Sequence, residues 1–214
     1  MKFNPMAALT IFLKRNQPSG MFIAMTNAHE RKKQPEIVRR NLLDCAAKLA
    51  ADQGVAALSV QAVADAAGVT KGGLFHHFAS KQALLEAVMA DLLSALDAEI
   101  DVLISQDREA HGCFTRAYVN AVFADRDRES GRQWAALSVS MVGEPSLRRM
   151  WTSWYEGRLI RHKETDEGVI LELVRLAADG IWFADLLADD GRAGGDRAAL
   201  KARMIAQTKK EMER

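Results

Sequence analysis

The stretch VTKGGLFHHFASK, Val69–Lys81, combines cationic, aromatic and glycine residues in a spacing that suits phosphate binding. Gly72 and Gly73 lie within an otherwise helical turn, where each glycine costs about 1 kcal/mol relative to alanine. Bare glycines allow another molecule to approach the backbone closely, and the N–H groups that begin a helix bind phosphate. Lys71 and Lys81 add positive charge. The stretch therefore predicts a helix whose leading edge contacts a polyanion.

The histidines of this chain are weak candidates for metal ligands. His76 and His77 are adjacent, so on a helix they point about 100° apart, and no third ligand is near in sequence. His162 has Glu164 and Asp166 close by, but a solvated helix end is the expected arrangement there. No metal site and no cofactor are predicted.

The charge of the chain is distributed unevenly. Residues 1–82 carry 11 Lys and Arg against 5 Asp and Glu, a net charge of +6, whereas residues 83–214 carry 18 against 23, a net charge of −5. The first part is therefore expected to attract polyanions such as DNA. Hydrophobic residues make up 49% of the chain and only four residues are proline, which favours a soluble all-α protein. Cys45 and Cys113 are expected to be buried thiols in a reducing cytoplasm.

Residues 1–34 have no sustained hydrophobic period and are predicted to be a flexible extension. Their short apolar run is too interrupted for a membrane span, and no cleavage site of a secretory signal follows it, so neither export nor membrane attachment is expected. A basic arm of this kind can also contact the minor groove of DNA.

Two helices are predicted before the glycine-containing stretch. The first is an amphipathic helix from Pro35, with Gly54 as its left-handed stop and Val55 as the apolar contact that follows. Ser59 is placed to cap the second helix, which ends at Gly68.

Two more predicted helices complete the arrangement. Thr70 caps the third helix, whose Leu74 and Phe78 are four residues apart and turn inward. Ser80 caps a long fourth helix with an apolar stripe of about six turns. Residues 35–82 thus form a helix-turn-helix unit for binding double-stranded DNA, with the third helix in the major groove.

The chain resembles the TetR/AcrR family of bacterial transcription regulators over about Glu36–Leu93. The resemblance rests on AAKLAADQGV in the first helix, SVQAVADAAGV in the second, and TKGGLFHHFASKQALLEAV across the third and fourth. It implies a homodimeric, all-helical repressor whose C-terminal helices hold a small-molecule pocket and the dimer interface. At Phe75 the family commonly has tyrosine, whose hydroxyl bonds a phosphate, and phenylalanine lacks that hydroxyl.

The predicted DNA-binding residues follow from this layout and from the resemblance, which implies that Ser59 and Gln61 lie near the DNA backbone and His76 near the groove. Thr70, Lys71 and Lys81 are expected to anchor phosphates, and the candidates for reading bases are Lys71, Gln61 and His76. The full set is Ser59, Gln61, Thr70, Lys71, Gly72, Gly73, Phe75, His76 and Lys81.

Residues 83–214 are predicted to form a helical domain for effector binding and dimerisation. After the fourth helix, helices are expected over about 108–124, 129–142, 146–163, 166–188 and 196–212. Large adaptable side chains predict a pocket for an apolar or aromatic ligand formed by Trp134, Met141, Met150, Trp151, Trp154, Tyr155 and Phe183. The last two helices have surplus apolar surface, which predicts a dimer interface containing Leu173, Leu176, Ile181, Leu200 and Met204.

These features predict a two-fold dimer that binds a palindromic operator and releases it when a ligand shifts the C-terminal helices and, through the fourth helix, the DNA-binding units. A helical enzyme or carrier is the alternative of another class, but the sequence contains no nucleophile elbow, phosphate loop or HExxH sequence, and no paired carboxylates in a plausible cleft. A helix-turn-helix protein without an effector, or an activator, also stays open.

Overall fold

The computed structural model describes residues 22–125, 129–187 and 196–209. These ranges contain ten α-helices and no strand, which confirms the all-α prediction. The helices are α1 (Phe22–Gln53), α2 (Val60–Ala66), α3 (Lys71–His77), α4 (Lys81–Gln106), α5 (Cys113–Asp125), α6 (Glu129–Gly143), α7 (Pro145–Arg161), α8 (Lys163–Asp166), α9 (Val169–Leu187) and α10 (Arg197–Gln207). The described part of the chain divides into two compact units between Arg39 and Arg40, and the contacts described below lie within the unit that begins at Arg40.

The first helix is longer than its sequence indicates. It begins at Phe22 and contains Pro35, so residues 22–34, which were expected to be a flexible extension, are helical. A proline within a helix removes one backbone hydrogen bond and commonly kinks the helix, but it does not always end it. Residues 1–21 lie outside the described residues.

Three serine and threonine side chains cap helices as predicted. In each case the hydroxyl oxygen accepts a hydrogen bond from the backbone N–H three residues later: Ser59 from Ala62 at 3.1 Å, Thr70 from Gly73 at 3.0 Å and Ser80 from Ala83 at 3.0 Å. Such a cap contributes about 1 kcal/mol. The starts of α2, α3 and α4 are therefore fixed locally.

The turn before α2 and the turn before α3 both depend on a left-handed glycine. Gly54 ends α1 with a φ of 78°, and Gly68 follows α2 with a φ of 68°. Leu74 and Phe78 then bury their side chains, as do Val63 and Ala64 of α2. This shared core holds α3 against α2.

Helix α5 lies at the centre of the larger bundle and packs against α4 and α9. Its residues from Cys113 to Val119 are all buried, including Thr115 and Arg116. The helix begins at Cys113 and not near residue 108, because Gly112 takes a φ of 73° immediately before it. The helix predicted from residue 166 begins only at Val169, after Gly168 with a φ of 134°, and residues 163–166 form the separate short helix α8.

None of the helices in the described ranges is both long enough and apolar enough to cross a membrane.

Candidate nucleic-acid interface and ligand cavity

The N-terminal edge of α3 is presented to solvent. Lys71 and His76 are exposed, and Phe75 leaves 42% of its surface accessible, which is unusual for a phenylalanine. The Lys71 ammonium lies 5.9 Å from the centre of the Phe75 ring. Leu74 on the opposite face is fully buried. The helix therefore presents cationic and aromatic groups outward while its other face is anchored.

The two glycines of α3 are not required by the internal packing of the chain. A Cβ added at Gly72 would meet only the Thr70 hydroxyl at 3.9 Å, and one at Gly73 would meet the same hydroxyl at 3.4 Å. Neither glycine has a positive φ. An alanine would fit at Gly72 among the described residues and would favour the helix by about 1 kcal/mol, so their packing does not account for this glycine. Close approach of another molecule to the bare backbone is a reason for it.

The other predicted DNA-binding side chains have partners within the chain. Lys81 is half-buried and donates a hydrogen bond from Nζ to the Val55 carbonyl oxygen at 3.3 Å, so it ties α4 to the turn after α1. Gln61 is exposed and donates from Nε2 to Asp65 Oδ1 at 2.8 Å. Ser59 caps α2. The structure thus gathers these side chains around α2 and α3, but Lys81 is directed inward.

A cavity of about 340 Å³ lies among α4, α5, α6, α7 and α9. Its size falls within the range of small-molecule sites. Four of the predicted pocket residues line it: Trp134, Met141, Trp151 and Phe183. The other lining residues, which the sequence analysis did not single out, are Leu96, Tyr118, Ala121, Val122, Ser138, Asp179 and Trp182.

Three of the predicted pocket residues do not line the cavity. Trp154 donates its indole N–H to Asp97 Oδ1 at 2.8 Å, and Tyr155 stacks against the ring of Trp151 with 6.1 Å between ring centres. Both rings pack against Trp151, which lines the cavity, whereas Met150 is not among the lining residues. Residues three and four apart on a helix share a face, and Trp151, Trp154 and Tyr155 form one aromatic cluster.

Asp179 is the one charged side chain among the described residues that line the cavity. The Tyr118 hydroxyl donates a hydrogen bond to its Oδ1 at 2.5 Å. Burial raises the pKa of the Asp179 carboxyl, while the hydrogen bond from Tyr118 and the charge of Arg175 oppose that rise. Burial and the neighbouring carboxylate raise the pKa of Tyr118 well above its usual value, so the phenol stays protonated as the donor. A sequence signal for Asp179 existed: it is an acid within the most apolar helix.

Helix α7, which lines the cavity through Trp151, is hydrogen-bonded to α4 at both of its ends. Arg158 is 1% exposed and donates from Nε to Asp97 Oδ1 at 2.6 Å and from Nη1 to Asp101 Oδ1 at 2.5 Å. At the other end of α7, Gln82 donates from Nε2 to Ser146 Oγ at 2.5 Å. Because α4 begins directly after the helix-turn-helix unit, these bonds connect a wall of the cavity to the DNA-binding end of α4.

One face of α9 is apolar and exposed. Its positions recur at steps of four and three residues: Val169, Leu173, Leu176, Gly180, Phe183 and Leu187. Leu173 and Leu176 are 60% and 59% exposed. A Cβ added at Gly180 would meet nothing within 4 Å. We call these six residues the α9 stripe, and its spacing is that of the contact positions in packed helix pairs.

Two residues predicted for the dimer interface lie elsewhere. Met204 is 6% exposed and belongs to the core formed with Phe114, Tyr118 and Val174, so its prediction as an interface residue is corrected. Ile181 is half-buried against the same core. Leu200 is 42% exposed on α10. The sequence pattern predicts which positions of α9 and α10 are apolar. It does not predict which of these positions are buried against the rest of the chain.

Asp166 was expected at a solvated helix end, and this is wrong because it is 3% exposed. Its carboxylate accepts hydrogen bonds from the backbone N–H groups of Phe114 at 3.2 Å and Thr115 at 2.7 Å, so it caps the N-terminus of α5. The ligand atoms of Cys113, His162 and Asp166 lie within 4.8 Å of one another. The hydrogen bonds from Phe114 and Thr115 explain the position of Asp166 as the cap of α5, without a metal ion.

A helix-turn-helix unit followed by a helical bundle is the architecture of a DNA-binding regulator. Comparison with known families makes this assignment specific. Residues 42–88 match the family described as bacterial regulatory proteins, tetR family, and residues 112–209 match the tetracyclin repressor-like C-terminal domain. The chain belongs to the tetR family of bacterial regulatory proteins. This family contains regulators and not enzymes, in agreement with the sequence analysis.

Individual relatives extend the comparison. The chain is 44% identical over 63 residues to the transcriptional repressor KstR2 of Mycolicibacterium smegmatis, which is 29% of this chain and 31% of that protein. It is 35% identical over 118 residues to the transcriptional regulator BetI of Ectopseudomonas mendocina, which is 53% of this chain and 60% of that protein. The matches therefore span less than two thirds of either relative.

Solved structures share the fold at low sequence identity. A transcriptional regulator of Streptomyces coelicolor A3(2), SCO7518, aligns with a TM-score of 0.65 and 18% identity over 81% of this chain and 99% of that one. The multidrug binding protein EbrR complexed with malachite green aligns with a TM-score of 0.63 and 20% identity over 80% of this chain and 98% of that one.

Proposed function

We propose that this protein is a transcriptional repressor that binds a palindromic DNA operator as a homodimer and releases it when a small apolar or aromatic ligand fills the cavity. The observation that carries the proposal is the exposed edge of α3, where Gly72 is a glycine that the packing of the chain does not require. KstR2 is a transcriptional repressor and BetI a transcriptional regulator, and the similarity to both supports the same class. Such a regulator acts in the bacterial cytoplasm, where the DNA is.

The mode of DNA binding follows from α2 and α3. Helix α3 enters the major groove with Lys71 and the two glycines leading, and the bare backbone comes close to the DNA. Lys71 is the exposed cation of this edge and pairs with a phosphate or the acceptor edge of a base. His76 and Gln61 border the same surface. Lys81 contributes less than the sequence suggested, because its ammonium is bonded to Val55.

The dimer is proposed to form through the α9 stripe. Exposed leucines at steps of three and four are costly in water, and pairing with the same stripe of a second chain removes them from it. Gly180 lies in the middle of the stripe, where a glycine allows two helix backbones to approach each other closely. A two-fold pair places two α3 helices about one turn of DNA apart, which requires an operator of matching symmetry.

The ligand effect is proposed to travel through α7 and α4. A ligand that occupies the cavity pushes on Trp151 of α7, and α7 is bonded to α4 through Arg158 and through Ser146. A shift of α4 changes the setting of the helix-turn-helix unit that precedes it. EbrR, which shares this fold, was crystallised with malachite green, and a ligand-binding role for the present cavity agrees with that.

The experiment that tests the function is selection of bound duplexes from a random DNA pool with the purified protein at two salt concentrations. We expect a palindrome that is retained at the higher salt. Sequence-independent binding that disappears as salt rises would contradict the proposal, because it reflects phosphate contacts alone. The selection is repeated with Gly72→Ala, and Gly157→Ala, which changes an exposed glycine of α7, is its matched control.

A further inference from the structure

The walls of the cavity are aromatic on several sides. Trp134 and Trp151 meet edge to face with 5.9 Å between ring centres, and Trp182, Phe183 and Tyr118 add three more rings. Aromatic faces carry negative electrostatic potential, which attracts organic cations and does not attract anions. A ligand of neutral aromatic or aliphatic character would also be buried favourably here. The rings alone therefore do not decide the charge of the ligand.

The Asp179 carboxylate is the feature of the cavity that indicates the charge of the ligand. An acid in an apolar wall costs free energy unless a partner stabilises it. Among the described residues its hydrogen-bond donor is Tyr118, on Oδ1, and no ion pair to it is found there. Arg175, one turn earlier on α9, donates from Nη1 to Thr115 Oγ1 at 2.7 Å and to the Asp166 carbonyl oxygen at 3.3 Å. The charge of Arg175 thus acts on Asp179, but its guanidinium forms its hydrogen bonds with groups other than this carboxylate.

We propose that the ligand of this cavity is an organic cation with an aromatic or bulky apolar body, and that Asp179 is its counter-charge. This rests on the proposed ligand-responsive function. The cationic group lies beside the Asp179 carboxylate and the apolar body lies among the indole rings of Trp134, Trp151 and Trp182. Tyr118 positions the carboxylate by its hydrogen bond and leaves the second oxygen to the ligand. Anionic ligands of the same size are rejected, because they bring a second negative charge into a desolvated site.

The test uses two probes of the same shape, trimethylphenylammonium and tert-butylbenzene. The first has a positively charged quaternary nitrogen where the second has a neutral quaternary carbon. Binding to the full chain is followed by tryptophan fluorescence, since three tryptophans line the cavity. We expect the cation to bind at least about tenfold more tightly than its neutral analogue, as for a charge paired in a desolvated site. Benzoate, an aromatic anion, is expected not to bind.

Variants isolate the role of Asp179. Asp179→Asn keeps an oxygen that accepts from Tyr118 but removes the charge, and the preference for the cation should fall at least about tenfold. Glu172→Gln removes one negative charge from an exposed position of the same helix and should leave the preference unchanged. If Asp179→Asn does not fold, the comparison of the probes on the unmodified protein still tests the cation preference, and equal binding of both probes overturns the inference.

The outcomes separate this inference from the proposed function. If both probes bind equally well, or if Asp179→Asn weakens both by the same factor, the cavity binds ligands but Asp179 does not select their charge, and the inference is overturned. If none of the probes binds while the operator is still bound, the cavity is not an effector site, and both the inference and the ligand part of the function are overturned. A cation preference that depends on Asp179 supports both.

Discussion

Arg158 of α7 is almost fully buried and holds Asp97 of α4 with a 2.6 Å hydrogen bond from Nε to Oδ1. The same guanidinium also donates a hydrogen bond to Asp101, so one side chain of α7 binds two successive turns of α4. Because α4 begins directly after the helix-turn-helix unit, this contact is one link between the cavity wall formed by α7 and the DNA-binding end of the protein.

Removal of this contact should both destabilise the protein and uncouple the cavity from DNA. We expect Arg158→Met to lower the free energy of unfolding by about 2 kcal/mol, less than for a fully buried pair, because Asp97 and Asp101 are partly exposed. Urea denaturation measures the stability, and operator release by ligand measures the coupling. Arg161→Met changes an exposed arginine of the same helix and is expected to affect neither. Normal ligand release in Arg158→Met would contradict the proposed route.

The glycine at position 72 should be costly for folding and necessary for DNA binding. Gly72→Ala should raise the free energy of unfolding by as much as about 1 kcal/mol, because the added Cβ meets only the Thr70 hydroxyl at 3.9 Å. Operator affinity should nevertheless fall, by about tenfold for each 1.4 kcal/mol of lost contact. Gly157→Ala should give a similar gain in stability with unchanged affinity. Unchanged affinity in Gly72→Ala would remove the close approach that the proposal requires.

The α9 stripe should control the oligomeric state. Leu176→Arg places a charge in the middle of the proposed interface, and we expect a monomer at micromolar concentration by sedimentation velocity. Operator affinity should drop with it, since one chain binds one half-site. Val142→Arg alters another exposed aliphatic residue, on α6, and should stay dimeric. A Leu176→Arg protein that remains a dimer would direct the search for the interface to another surface.

Gly112 and Gly68 form a matched pair for backbone strain. Both have a positive φ, of 73° and 68°. A Cβ at Gly68 meets nothing within 4 Å, so Gly68→Ala should cost only the conformational penalty of about 1 kcal/mol. A Cβ at Gly112 would lie 2.6 Å from the Thr208 carbonyl oxygen, so Gly112→Ala should cost about 3 kcal/mol. Equal losses in thermal or urea unfolding would show that α10 yields to the added methyl group.

The raised pKa of Asp179 predicts two opposite pH effects. The folded protein holds the proton of Asp179 more tightly than the unfolded chain, so its contribution to stability declines as pH rises above the ordinary aspartate pKa and through the raised one. The affinity for an organic cation should rise over the same interval, because the carboxylate is the binding form. Calorimetric titration across this range measures the second effect. Asp179→Asn should flatten both, and a pH dependence of cation binding that persists in this variant would assign it to another group.

The local features of the DNA-binding unit were predictable from sequence, whereas the cavity was predictable only in part. Ser59, Thr70 and Ser80 cap helices through residues three positions away, so their signals lie within one short segment. The N-terminal cap of α5 comes from Asp166, more than fifty residues later, and no local pattern indicates such a partner. For this reason the start of α5 was predicted too early.

The same limit applies to the cavity and to the interface. Tyr118 and Asp179 meet only because α5 packs on α9, which periodicity does not reveal. The apolar pattern of α10 identified Met204, but its direction relative to α5 decides whether it lies in the core or outside. Phe183 and Leu173 are both exposed apolar residues of α9, so the surplus of apolar surface on this helix could be read from the sequence, whereas the partner that covers it could not.

Helix α3 has only seven residues, two of them glycine, which is far too short to be stable by itself in water. Its shape is imposed by the burial of Leu74 and Phe78. The fraction of molecules with α3 in place therefore multiplies the intrinsic affinity for the operator. A core substitution such as Val63→Ala, whose side chain is fully buried on α2, is expected to weaken operator binding whenever it lets α3 detach, and hydrogen exchange at the α3 amides reports how often that occurs.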